Sequence, residues 1–216
     1  MKKILFVLIP LIFLASCGEN TQIPRIAPAS SSGVILALGD SLTIGYGLPE
    51  TESYPAQLEK RLQSKWYAYT VQNAGVSWDT SAGLLSRIDW ILEGETPILA
   101  ILCIGSNDVF QWKNVDDIEA NIRSIIEKLQ AKKIPILLAG MKAPFNLWKT
   151  YRDQYDGLFL KLAKEYKLTF MPFLLEWIAL DPKFNQDDRI HPTFAGYWVV
   201  VDNLLPILEE NKLIQK

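Results

Sequence analysis

Val34-Ile35-Leu36-Ala37-Leu38-Gly39-Asp40-Ser41-Leu42-Thr43 is the stretch on which the fold of this chain turns. Its first five residues are apolar without alternation, the mark of a strand buried on both faces of a parallel sheet. Gly39-Asp40-Ser41 then breaks the run abruptly. Open α/β sheets place their ligands at the carboxyl ends of their strands, and Ser41 stands at such an end. Ser41 is therefore the candidate nucleophile. A serine hydroxyl reacts poorly unless a base takes its proton and donors receive the charge that develops on the substrate oxygen, so the rest of the chain must supply both.

Beyond Ser41, helix-like and strand-like patterns alternate. Ser53-Tyr54-Pro55 opens a helix by capping chemistry, with Leu58 and Leu62 on one face. Residues 69–73 read as a short second strand ending at Asn73-Ala74-Gly75, and Leu84, Leu85, Ile88, Ile91 and Leu92 follow at helical spacing. Residues 97–104 are the most apolar strand and the expected sheet centre, ending at Gly105-Ser106-Asn107-Asp108. The helix over 115–132 is the clearest: Ile118, Ile122, Ile125, Ile126 and Leu129 make one stripe, acids favour its start and lysines its end. A strand at 134–141, a helix at 149–166, a strand at 168–173 and a helix at 193–210 complete the series, with Tyr151, Tyr155, Leu158, Phe159 and Leu162 facing inward from the 149–166 helix. Five strands alternating with helices predict an α/β fold, a parallel sheet flanked by helices on both faces. Asp40-Ser41, Asn73-Ala74-Gly75 and Asn107-Asp108 each follow a strand, so all can meet at one edge of that sheet.

One histidine exists in the chain, His191, within Asp188-Arg189-Ile190-His191-Pro192. It is the residue suited to acid–base work at neutral pH, and a three-residue spacing in a loop lets Asp188 reach back to orient the imidazole. Asp187, one residue off, is the poorer orienter. Donors for an oxyanion are available as the backbone N–H of Ser41, that of Gly75 and the side-chain amide of Asn107.

Gly39-Asp40-Ser41-Leu42, Asn73-x-Gly75, Gly105-x-Asn107-Asp108 and Asp188-x-x-His191 resemble the four blocks of the SGNH (GDSL) hydrolase superfamily, in order and spacing, from Val34 to the C-terminus. Asn73-Ala74-Gly75-Val76-Ser77, Glu119-Ala120-Asn121-Ile122-Arg123 and Pro172-Phe173-Leu174-Leu175-Glu176 are similar to its thioesterase I/arylesterase/lysophospholipase branch. The resemblance implies a three-layer α/β/α flavodoxin-like fold and a Ser41–His191–Asp188 triad. It also implies an oxyanion hole from Ser41, Gly75 and Asn107, action on acyl esters and thioesters, and no metal or organic cofactor. The chain departs from the branch where Trp78 stands for a usual glycine, where Val109-Phe110-Gln111-Trp112-Lys113 follows Asn-Asp, and where Gly105-Ser106 replaces Gly-Gly. Trp78, Phe110 and Trp112 are accordingly expected to narrow or roof the acyl groove.

The 216 residues, 49% of them hydrophobic, suffice for one sizeable core. A net charge of −2 without a basic run gives no nucleic-acid surface. Lys2-Lys3, the apolar run 4–14 and Leu14-Ala15-Ser16-Cys17 look like a bacterial lipoprotein signal, too short to span a bilayer core that needs ~20 residues. The expected organisation is therefore a signal peptide at 1–16, an acylated Cys17 and flexible tether at 17–33, and the hydrolase domain at 34–216. With Cys17 lipidated no disulfide remains to be made, and Cys103, inside an apolar strand, reads as a buried inert thiol. The expected protein is a monomeric lipoprotein, anchored in the outer membrane and facing the periplasm, in preference to the inner membrane or outer cell surface. Its expected substrates are acyl esters or lysophospholipids. Two other functions stay open at this point: an O-deacetylase of glycans, and a non-catalytic envelope lipoprotein that binds through the same fold.

Overall fold

The computed structural model describes residues 33–94 and 96–215. The signal, Cys17 and residues 18–32 of the tether lie outside the described residues. Gly33, assigned to the tether from composition, is instead the first residue of a strand.

The strands are β1 (Gly33–Gly39), β2 (Tyr69–Gly75), β3 (Leu99–Cys103), β4 (Ile136–Ala139) and β5 (Thr169–Met171). They form one parallel sheet in the order β2-β1-β3-β4-β5. β3 is central and wholly buried, as its unbroken apolar run requires. The helices are α1 (Ser41–Ile44), α2 (Tyr54–Ser64), α3 (Ser81–Ile91), α4 (Ser106–Phe110), α5 (Val115–Ala131), α6 (Lys149–Tyr166) and α7 (Phe194–Glu210), with one 3-10 turn at Glu50–Glu52. α2 packs on α7 and on β2, while α3 packs on α5 and α5 on α6, which gives a helical layer on each face of the sheet.

The five apolar residues of the α5 stripe are all buried, each worth roughly 1.5–3 kcal/mol against solvent exposure. Its N-cap is Asn114, whose side chain accepts the Asp116 N–H at 2.9 Å. Ser53 does not cap α2 with its hydroxyl, which donates to the Glu50 carbonyl at 2.8 Å. β5 is three residues long and β4 four, shorter than their apolar runs, although the residues flanking β4 still bond to its neighbours: the Pro135 carbonyl accepts the Ala100 N–H at 2.9 Å and the Gly140 N–H donates to the Met171 carbonyl at 2.8 Å. α1 and α4 are short helices where polar strand-end loops were expected.

Register decides what can meet. Gly39 lies opposite both Gly75 and Cys103, so β1, β2 and β3 end level with one another. β1 leads to β2 on one side and adjoins β3 on the other, and the crevice at such a switch point lies above the strand ends.

Candidate active site

Gly39 ends β1 because nothing larger fits: a Cβ there would sit 2.1 Å from the Thr43 hydroxyl oxygen and 2.5 Å from the Cys103 carbonyl oxygen. α1 therefore folds tightly back on the strand end. Asp40 caps it, Oδ1 accepting the Leu42 N–H at 3.0 Å, and burial raises its carboxyl to about 7. Ser41, the first residue of α1, is held at the crevice, and its backbone N–H has no partner among the described residues.

His191 and Asp188 arrive on the connection 172–193 between β5 and α7, which is long but pinned. Leu174 N–H donates to the Gly140 carbonyl at 3.0 Å, the Gln186 N–H to the His191 carbonyl at 2.8 Å, and Thr193 N–H to the Phe184 carbonyl at 2.8 Å. The Gln186 side-chain amide donates to the Tyr46 carbonyl at 2.7 Å, tying this loop to the segment after α1. The Tyr46 ring packs on the imidazole with centroids 4.7 Å apart.

The three residues named from sequence are brought together. Ser41 Oγ lies 2.9 Å from His191 Nε2, and His191 Nδ1 lies 2.6 Å from Asp188 Oδ2. Asp188 Oδ1 also accepts the backbone N–H groups of Ile190 at 2.9 Å and His191 at 3.0 Å. Burial alone would raise the Asp188 carboxyl; the bonds from the His191 backbone and ring and from Ile190 outweigh it and bring it to about 2. Asp188 is thus a carboxylate at neutral pH, which fixes Nδ1 as the protonated nitrogen and leaves the Nε2 lone pair for the Ser41 hydroxyl.

Asn107 reaches the site, and Gly75 does not. The Gly75 N–H donates to Asn73 Oδ1 at 3.0 Å, and the residue is packed under α1, where a Cβ would lie 2.3 Å from the Ile44 nitrogen. Its glycine serves close packing, a role that the sequence does not distinguish from oxyanion donation. The N–H in its place belongs to Trp78. That residue lines the crevice, and its backbone N–H has no partner among the described residues. Asp79 N–H donates to the Val76 carbonyl at 3.1 Å and Trp78 has φ +66°, so residues 76–79 form a turn with a left-handed third residue. The usual glycine of the related branch suits that conformation, so the departure at position 78, which the sequence suggests as a change in the acyl groove, also marks the turn. Asn107 Nδ2 donates one hydrogen to the Asp79 carbonyl at 2.8 Å and keeps another for the crevice that it lines.

Neighbours stiffen this arrangement. Arg87 Nε donates to Asp79 Oδ2 at 2.8 Å and its Nη2 to the Gly39 carbonyl at 3.2 Å, joining the 76–79 turn to the end of β1. Asp108 accepts the Ser81 N–H at 2.8 Å and hydroxyl at 2.6 Å, joining α4 to α3. Arg87 and Gln186 carry no motif of their own, so sequence reasoning passed over them.

A cleft of about 630 Å³ opens from Ser41 and His191, its wall formed by Met141, Phe173, Leu175 and Ala179. Trp78 and Phe110 line it as expected. Trp112 does not: it turns away in a left-handed conformation, φ +56°, and packs on Trp148. Cys103 is buried, its thiol pushed up by burial and by the Asp40 charge, which leaves it inert. Among the described residues no cluster of His, Cys, Asp and Glu could hold a metal ion, and no helix is long and apolar enough to cross a membrane.

Residues 37–199 match the GDSL-like Lipase/Acylhydrolase family. The chain is similar to esterase TesA of Pseudomonas aeruginosa, 31% identical over 198 residues, covering 92% of this chain and 97% of the relative. It is similar to thioesterase 1/protease 1/lysophospholipase L1 of Escherichia coli K12, 33% identical over 164 residues, covering 76% and 77%. The crystal structure of TesA matches with a TM-score of 0.78 at 32% identity, covering 82% of this chain and 98% of that one. Nearly the whole of that solved chain thus matches within this one. The chain belongs to the GDSL-like lipase/acylhydrolase family and is a serine ester hydrolase of the SGNH type.

Proposed function

We propose that this hydrolase cleaves acyl esters of the lysophospholipid and aryl ester kind through an acyl-enzyme on Ser41. The observation that carries the reading is the hydrogen-bonded chain Ser41–His191–Asp188, with links of 2.9 Å and 2.6 Å, opening on an apolar cleft of about 630 Å³. Ser41 Oγ attacks the acyl carbonyl as its proton passes to His191 Nε2. The carbonyl oxygen becomes an oxyanion received by the N–H groups of Ser41 and Trp78 and by Asn107 Nδ2. The imidazolium, steadied by Asp188, returns the proton to the leaving alcohol as the ester bond breaks. Water then attacks the acyl-enzyme by the same path and releases the acid. No step calls for a metal or an organic cofactor. The apolar wall favours an acyl chain over a glycan, whose hydroxyls need more donors and acceptors than it offers.

A fluorophosphonate probe should label the protein, and Ser41→Ala should abolish both labelling and hydrolysis of p-nitrophenyl octanoate. A folded wild-type chain that takes no label would overturn the assignment.

The exported lipoprotein reading from residues 1–17 belongs to the same proposal: Cys17 carries the lipid and holds the domain at the periplasmic face of an outer membrane. Metabolic labelling with a radioactive fatty acid, lost in Cys17→Ser, tests it.

A further inference from the structure

The mouth of the cleft carries side chains that the fold does not need. Trp78, Phe110, Phe145, Leu180 and Ile190 line the cleft yet are exposed to solvent. Just beyond the lip, Trp112 and Trp148 face each other with ring centroids 6.0 Å apart, 61% and 79% exposed. Single exposed apolar residues are ordinary, but a contiguous group marks a partner. Trp78, Trp112 and Leu180 are moreover held at φ +66°, +56° and +64°, a region that bulky L-residues rarely adopt. Positive charge stands at the same lip. Arg189, at φ +63°, lines the cleft, and its side chain has no hydrogen bond or ion pair among the described residues. Lys142 also lines it, 4.8 Å above the Phe173 ring and 3.8 Å from Glu176.

We propose that this rim docks the domain on a phospholipid surface, with Trp112 and Trp148 at headgroup depth, Arg189 against a phosphate and the cleft mouth over the lipids. The inference rests on the acyl-ester reading of the cleft. Long-chain acyl esters are held in membranes or micelles, so a cleft that takes their chains must meet that surface. Indole and phenyl rings favour the boundary between headgroups and hydrocarbon, where an apolar body and a wet edge are both satisfied. A guanidinium without a carboxylate partner is matched by a phosphate. The opposite edge of the molecule supplies an internal control. Trp66, between α2 and the start of β2, and Trp90, in the last turn of α3, are 87% and 75% exposed and lie far from the strand ends that form the site.

The test uses the domain from residue 33 with Ser41→Ala, so that binding is read without turnover, and vesicles of phosphatidylcholine with phosphatidylglycerol in a sedimentation assay. The unsubstituted rim should bind. Trp112→Ser with Trp148→Ser should lower the partition coefficient by about tenfold or more through lost apolar burial. Trp66→Ser with Trp90→Ser should leave it unchanged. With Ser41 intact, the rim pair should hydrolyse p-nitrophenyl acetate at the parental rate, since neither residue lines the cleft. Should that pair fail to fold, a Trp66→Phe, Trp90→Phe chain serves: its remaining tryptophan fluorescence should be quenched by brominated lipids. Absence of vesicle binding or quenching, equal losses in the two pairs, or retention on acetylated xylan in place of vesicles would overturn the proposal. A parent unable to hydrolyse p-nitrophenyl acetate strikes the esterase reading and leaves the binding result standing.

Discussion

Two aspartates of the site respond to pH in opposite senses. Asp188 falls from 3.8 to about 2 on folding, so its contribution is fully present above pH 3.8 and is lost as pH falls through about 2. Asp40 rises from 3.8 to about 7, so the folded chain binds the extra proton; its contribution is present below pH 3.8 and is lost as pH rises through about 7. Asp40→Asn keeps an oxygen for the Leu42 N–H and removes the titration. Its stability relative to the parent should therefore improve steadily between pH 4 and pH 7, read from urea midpoints. A constant difference across that range would show that Asp40 is not held neutral by its burial. Asn107 is the other residue with a clear single-site outcome. Its amide is a neutral donor fixed by the Asp79 carbonyl, and Asn107→Ala should lower kcat by about 10²–10³-fold with little change in KM. A KM effect alone would place Asn107 in substrate binding and not at the oxyanion.

The 76–79 turn is the element where sequence and structure part. The triad was readable because base and orienter are chemically scarce, one histidine with an aspartate three residues before it, and because Ser41 follows directly on the break after the first strand. The central strands were readable because an unbroken apolar run needs burial on both faces, and the α5 stripe because helical spacing reports which face is buried. The oxyanion turn was not, because a backbone donor has no residue type. Gly75 looked right and is occupied by Asn73, while Trp78 looked wrong and presents the unpaired N–H. Short α1 and α4 escaped for a related reason: four or five residues are too few to show a helical period. Holding Trp78 left-handed costs about 1–2 kcal/mol, and its exposed side chain returns little of it through burial. Trp78→Gly keeps the N–H and removes that strain, offset in part by the greater freedom of unfolded glycine, ~0.5–1 kcal/mol. The variant should keep its esterase activity and melt up to about 4 °C higher. Loss of p-nitrophenyl acetate hydrolysis in a folded Trp78→Gly chain would mean that the indole, and not its N–H, serves the reaction.

At the scale of the whole molecule, the parallel sheet gives the protein two unlike ends. Ser41, Trp78, Asn107 and the cleft stand above the carboxyl ends of the strands, whereas Gly33 enters β1 at the amino end. The chain that leads back toward Cys17 therefore departs from the edge opposite the reactive one. If Cys17 is fixed in a bilayer and the cleft must face that same bilayer, residues 18–32 have to run around a domain roughly 40 Å across. Fully extended they reach roughly 50 Å, so the tether is long enough, with little to spare. Deleting residues 21–30 leaves a reach of roughly 17 Å, too short for the domain to turn over. Given the proposed lipid on Cys17, such a chain should hydrolyse soluble p-nitrophenyl acetate at the parental rate and lysophospholipid embedded in its own membrane at least about tenfold more slowly, as the effective concentration of cleft at the surface collapses. Restoring the length with a glycine–serine segment should restore the lipid rate, because reach and not sequence is what the deletion removes. Equal rates on embedded lipid for the long and short tethers would mean that the cleft does not work on the membrane that holds it.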